Sequence, residues 1–176
     1  MFRSAALFVL LSASVLAAEK APGPEAILES SIQGLLAQTT KSTDSQALLT
    51  FLEEQVAVLF DFSYMSQLVA GPLWRNVNEE NKKRFEAEFK KTFLVSLARQ
   101  VTQLGTPNIR MYPIRPGTSP NEVTVSVSLQ SAGGPPTLVD FRLYRADVDW
   151  KVFDVVANGN SAVLYYRQWY AERGFR

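Results

Sequence analysis

Few side chains in this chain could run chemistry. It holds no histidine and no cysteine, which removes zinc sites of the usual kind, Cys nucleophiles, Ser-His triads and histidine-bound haem. Acid–base work would fall to carboxylates, lysines or tyrosines. The most pointed carboxylate is Asp154, set inside the apolar run Trp-Lys-Val-Phe-Asp-Val-Val at 150–156. Strict alternation places it on the strand face of Trp150, Val152 and Val156, and a buried carboxylate needs a partner. Arg167, on the helix that follows, is the candidate. The expectation is a structural Asp154–Arg167 pair clasping the last helix to the sheet, and no catalytic residue. Glu53-Glu54 and Glu79-Glu80 are adjacent pairs on amphipathic helices; sequence neighbours point apart on a helix, so neither makes an acid–base dyad. The glycines of 69–74 and 131–136 fit no phosphate-binding fingerprint. No metal and no cofactor is expected.

Charge narrows the partners. Eighteen Lys and Arg nearly cancel seventeen Asp and Glu, without the basic excess that nucleic-acid binding requires. The local cluster Lys82–Arg84 with Lys90-Lys91 lies on the polar side of a helix. There Glu79–Lys83 and Glu86–Lys90 are i,i+4 pairs in the favourable order. Helix solubilisation explains it; docking to an acidic partner or an anionic membrane is the alternative. The N-terminus has one basic residue, Arg3, an apolar run from Ala5 to about Val15, then Ala17 and Ala18. That is the layout of a secretory signal peptide over 1–18, leaving 19–176 as one exported, soluble domain. Without Arg3 its charges balance.

Periodicity supplies the elements. Leu28, Ile32, Leu35 and Leu36 share a helical face after Pro24, and Leu48, Leu52, Val56, Leu59 and Phe60 repeat the pattern. Asp61 caps a short helix that stops at Gly71-Pro72, and Asn78 caps a long one. Along the long helix Phe85, Phe89, Phe93, Leu97, Val101 and Leu104 form one stripe, which needs a large apolar partner surface. After Gly105 the period becomes two. Val123, Val125, Val127 and Leu129 alternate with Thr and Ser, and Val139, Phe141 and Leu143 alternate with Asp140, Arg142 and Tyr144. With Ile109–Ile114 and Trp150–Val156 this predicts an α+β domain. Its N-terminal helices pack on one face of a three- to four-stranded antiparallel sheet, and a C-terminal helix follows an Asn-Gly-Asn turn.

What remains unexplained is apolar surface. Phe60, Phe62, Met65, Leu68, Trp74, Phe89, Phe93, Trp150, Tyr166 and Trp169 exceed a minimal helix-on-sheet core. A packed core and an apolar pocket carry the same signature, so composition leaves both open.

The ordered set of motifs is more specific. Asp61-Phe62, Met65, Gly71, Trp74, Phe85 and Phe89 come first. Trp150, Lys151, Val152, Asp154, Val155, Gly159, Ser161, Tyr166, Arg167 and Trp169 follow. Over about Glu25–Tyr170 the chain resembles the MlaC/toluene-tolerance family of periplasmic phospholipid-binding proteins. It departs from the family at Leu97 and Leu104, where a tyrosine is usual, and at Gly-Asn-Ser in place of Gly-Val-Ser. The resemblance implies a periplasmic carrier that shuttles phospholipid between inner and outer membranes, with its acyl chains in an apolar cavity between helices and sheet. The implied partners are an inner-membrane lipid-transport ABC complex and an outer-membrane lipoprotein complex. Two acyl chains hold roughly 30 methylenes at about 0.8 kcal/mol each, so crossing water unaided is heavily disfavoured. A cavity for them needs no His, Cys or metal.

Periodicity and resemblance together give an expected lining of Phe62, Met65, Leu68, Val69, Trp74, Phe93, Leu97, Val101, Val125, Val127, Phe141 and Val152. Three alternatives stand beside the phospholipid carrier. They are a carrier of another lipid such as a hopanoid, a periplasmic enzyme using Asp154 or a tyrosine, and a structural interaction module with a solid core.

Overall fold

The computed structural model describes residues 22–41 and 44–173, so the expected signal peptide at 1–18 lies outside the described residues. The first helix, α1, spans Pro24–Lys41. The second, α2, covers Ser45–Phe51, with the Asp44 side chain accepting from the Gln46 amide. The chain then widens into a π turn at Leu52–Val56 and tightens into a 3₁₀ turn at Ala57–Leu59. The single helix expected through Phe60 is thus broken. The change of pitch delivers Phe60 extended to the sheet, where it bridges Val152 in parallel while the Asp61 amide donates to the Val152 carbonyl at 3.0 Å.

Helix α3 runs Phe62–Ala70, and the Asp61 carboxylate accepts from the Tyr64 amide at 2.8 Å. Gly71, at φ +59°, ends it in a conformation a side chain would resist. A 3₁₀ turn at Gly71–Asn76 leads to the 26-residue α4, Glu79–Leu104, capped by Asn78.

Six strands follow: β1 Asn108–Met111, β2 Arg115–Pro116, β3 Glu122–Gln130, β4 Thr137–Ala146, β5 Asp149–Ala157 and β6 Asn160–Ser161. The sheet is antiparallel in the order β1-β3-β4-β5-β6, with β2 also on β3. The two strands beyond the expected four are two-residue pieces. Strand β1 is the expected first strand and ends before Pro113, which lacks an N–H; β2 is a further piece beyond it. Asn158 and Gly159, both at positive φ, form a two-residue turn that folds β6 back on β5. The last helix, α5, is Ala162–Arg173.

Register places Val123 against Leu143, Val125 against Phe141 and Val127 against Val139, so both expected apolar rows share one face. Thr124 lies opposite Arg142 and Ser126 opposite Asp140 on the other. Strand β5 departs from simple alternation. Arg142 pairs with Asp154 but Leu143 pairs with Val152, leaving Phe153 as a bulge. The extra residue reverses facing, so Asp154 and Val156 join the polar face while Val152 and Val155 stay on the apolar one. The common face expected for Asp154 and Val152 is corrected by this one-residue shift.

Candidate functional site

Most of the buried apolar residues form two clusters. The helix-side cluster holds Leu52, Met65, Val69, Phe89, Phe93, Leu94 and Val101, together with Val163, Tyr166 and Tyr170 of α5. Its rings interlock: Phe62 lies 5.7 Å from Phe93 and 6.1 Å from Phe89, and Tyr166 meets Phe89 edge-on at 5.3 Å. Burial pushes the phenols of Tyr166 and Tyr170 up from the usual tyrosine range, with Ser96 and Thr92 hydroxyls pulling the other way. The sheet-side cluster is smaller: Leu28 from α1 with Val125, Leu143 and Val152, bordered by Met111, Val123, Phe141 and Trp150. Phe60 and Val155 touch both clusters. Helix α4 packs chiefly on α3, α2, α1 and the π turn rather than on the strands. The apolar sheet face and the α4 stripe are therefore two walls joined at Phe60 and Val155.

The expected lining divides between these walls. Phe62, Met65, Val69, Phe93 and Val101 are buried in the helix-side cluster, with Leu68 and Leu97 packed on it and partly accessible. Val125 and Val152 belong to the sheet-side cluster, with Phe141 beside them and partly accessible. Val127 is buried on the same sheet face between Met111 and Val139. Trp74 lies apart, on the 3₁₀ turn, edge-on to Phe85 at 6.4 Å with the Lys82 ammonium 5.5 Å from its ring. Met65, Val69, Val125 and Val127 have no accessible surface, so in this conformation their contacts are with other side chains. Leu68 and Leu97 at the helix-side cluster and Phe141 at the sheet-side one keep accessible surface. Phe60, Val155 and Met111 border these clusters but are absent from the expected lining. The signal for Met111 was present, since it sits two residues after Ile109 in the same alternation. Val155 was hidden by the bulge.

The expected Asp154–Arg167 pair does not form. Asp154 is 2% exposed. Its carboxylate accepts from the Val163 amide at 3.1 Å and the Ser161 hydroxyl at 2.7 Å, and pairs with Arg142 at 3.5 Å. Ser161 also accepts from the Leu164 amide at 3.2 Å. Serine and aspartate together cap the N-terminus of α5, where unpaired amides and the helix dipole favour negative charge. Arg167 lies more than a turn further on and reaches another element. Its Nε donates to the Leu68 carbonyl at 3.0 Å and its Nη2 donates to the same oxygen, capping the C-terminal end of α3. The last helix is clasped twice, to β5 through Asp154 and to α3 through Arg167. With both its oxygens engaged and almost no accessible surface, Asp154 is poorly placed to act as a base.

Among the described residues no group of three or more Asp and Glu is placed to hold a metal ion, and no helix is long and apolar enough to cross a membrane. Tyr144 donates a short hydrogen bond to Asp61. Burial first, then that bond and the carboxylate's charge, push its phenol up to about 12.

The sequence model of the MlaC family, described as MlaC protein, matches residues 28–173. The chain belongs to the MlaC family. Among solved structures, the MlaC-family fold seen here is similar to the phospholipid-binding protein from Ralstonia solanacearum, solved in complex with a phospholipid. The TM-score is 0.74 at 18% identity, covering 84% of each chain. At that identity the likeness establishes a shared fold. No curated protein matches the chain. The match begins at Leu28, the α1 residue lying on the sheet, and ends at Arg173, the last residue of α5. Both walls of the apolar interior and both clasps of α5 fall within the MlaC-family region.

Proposed function

We propose that this protein binds a phospholipid with its acyl chains between the α4 stripe and the apolar face of β3–β5, and carries it through the periplasm between inner and outer membranes. In this reading, 1–18 is a cleaved signal peptide and 19–176 a single lipid-binding domain. It loads and unloads at an inner-membrane lipid-transport ABC complex and an outer-membrane lipoprotein complex. The observation that supports it most is the division of the apolar residues into two clusters, at which Leu97 and Phe141 keep accessible surface, in a fold shared with a protein solved in complex with a phospholipid. Removing acyl chains from water supplies the binding energy at about 0.8 kcal/mol per methylene. Neutral apolar walls match a bilayer interior closely enough for cargo to be exchanged rather than trapped.

Lipid extraction and native mass spectrometry of protein purified from its own cells tests the reading. Two-chain, phosphate-bearing masses are expected, and Leu97→Trp should empty the protein while leaving its folding transition in place. A phosphate-free ring system would make the cargo a hopanoid-like lipid. Protein free of any lipid would leave a structural module. Transfer of labelled phospholipid between two vesicle populations, accelerated by the wild type and not by Leu97→Trp, tests carriage itself.

A further inference from the structure

The sheet's other face holds a polar cavity of about 320 Å³, lined by Arg115, Pro116, Thr124, Asp140, Arg142 and Val156. Strand register explains it. Arg115, Thr124, Arg142 and Asp154 lie directly opposite one another across β2, β3, β4 and β5. The short Thr124 therefore stands between two arginines whose strands are about 9.6 Å apart. Among the described residues its hydroxyl has no hydrogen-bond partner.

The charges along this row are unequally spent. Arg115 donates to Ser126 at 2.9 Å and pairs with Asp140 at 3.2 Å, while Ser126 donates to Asp140 at 2.6 Å. Asp140 is thereby neutralised. Asp154 is buried and already held by the α5 terminus and Ser161. That leaves Arg142 underused. Its ion pair with Asp154 is 3.5 Å, and its guanidinium is 5.5 Å from the centroid of the bulged Phe153, with side-chain exposure of 41%. A guanidinium stacked on a ring with donors in reserve is pre-organised for bidentate recognition of an oxyanion. Among the residues lining the cavity are two arginines and one carboxylate, the half-buried Asp140.

We propose that this cavity is a binding site for an oxyanion, a carboxylate or phosphate group, held over Thr124 by Arg142 and Arg115 with the Thr124 hydroxyl donating a third hydrogen bond. It lies across the sheet from Val125 and Val152. A lipid housed between the walls does not bring its head group here, so the anion arrives from outside, and the site stands whether or not the cargo reading does.

Titration of isotope-labelled wild-type protein with glutarate and, separately, inorganic phosphate, followed by NMR, decides it. Saturable shifts are expected at the amides of Arg115, Thr124 and Arg142, with Arg142→Gln weakening binding at least about tenfold and Thr124→Val about threefold. Thr124→Val retains the strand and guards against loss of fold in Arg142→Gln. Saturation by glutarate alone assigns the site to carboxylates, and by phosphate alone to phosphates. Shifts that drift without saturating, or binding of equal strength in both variants, would overturn the proposal.

Discussion

The two halves of the apolar interior differ in how completely they are filled. Under α3, α4 and α5 the rings of Phe62, Phe89, Phe93 and Tyr166 interlock, and Met65, Val69 and Phe89 have no accessible surface. On the sheet side four buried residues are ringed by partly accessible Phe141, Trp150, Val123 and Met111. The first half is a close-packed frame, where losing a side chain leaves a cavity that neighbours cannot collapse into. The second is a wall with few buried members and more with surface to offer, as Leu68 and Leu97 have at the margin of the frame. A protein that accepts a greasy molecule needs both, because the frame must not move when the wall is covered.

That contrast is breakable by paired truncation. Phe89→Ala should cost about 3–5 kcal/mol in urea denaturation, whereas Phe141→Ala should cost about 1–2 kcal/mol and lose co-purified lipid. Equal losses would erase the distinction between frame and wall. Where the halves join, Asp154→Ala removes the α5 cap and two hydrogen bonds to a buried charge, and a loss of about 2–3 kcal/mol should follow. Arg167→Ala, which frees only an exposed contact to α3, should cost less; the reverse order would restore Arg167 as the main clasp. The frame also contains a flaw. Among the described residues the fully buried Ser66 hydroxyl has no hydrogen-bond partner, so Ser66→Ala should stabilise by about 1 kcal/mol, read as a rise in the thermal midpoint. A fall would reveal a partner that Ser66 needs.

One further effect lies at the edge of the frame and changes in alkali. Tyr144 holds its proton to about pH 12, against 10.0 for an ordinary tyrosine. A folded-state pKa above the unfolded one stabilises the fold fully below pH 10, and that contribution is lost as pH climbs toward 12. Tyr144→Phe should therefore be less stable than the wild type at neutral pH, and the gap should narrow between pH 10 and 12. A gap that stays constant would mean that burial and the bond to Asp61 do not raise this phenol.

Local signals carried much of this architecture. Asp61 and Asn78 cap their helices through a side-chain oxygen, as their types and positions indicate. Gly71 ends α3 at a φ that suits glycine. The Phe85–Leu104 stripe and the two alternating rows on β3 and β4 are read straight from period. The lining was legible as a set of apolar residues, but its division into buried frame and accessible wall was not, because leucine and phenylalanine have the same period in either place. Trp74 shows the limit: an aromatic beside a helix stop reads as interior, yet it sits on a turn under Lys82.

By itself the sequence determined the order and type of the elements, the absence of histidine and thiol chemistry, and the apolar character of the interior. Composition and periodicity act within a few residues and survive any arrangement of the rest. Tertiary structure decided the face of Asp154, the partner of Arg167 and the row of arginines flanking Thr124. One unpaired residue at Phe153 reverses every later side chain on β5, and whether a strand takes that extra residue depends on the strand beside it and not on its own pattern.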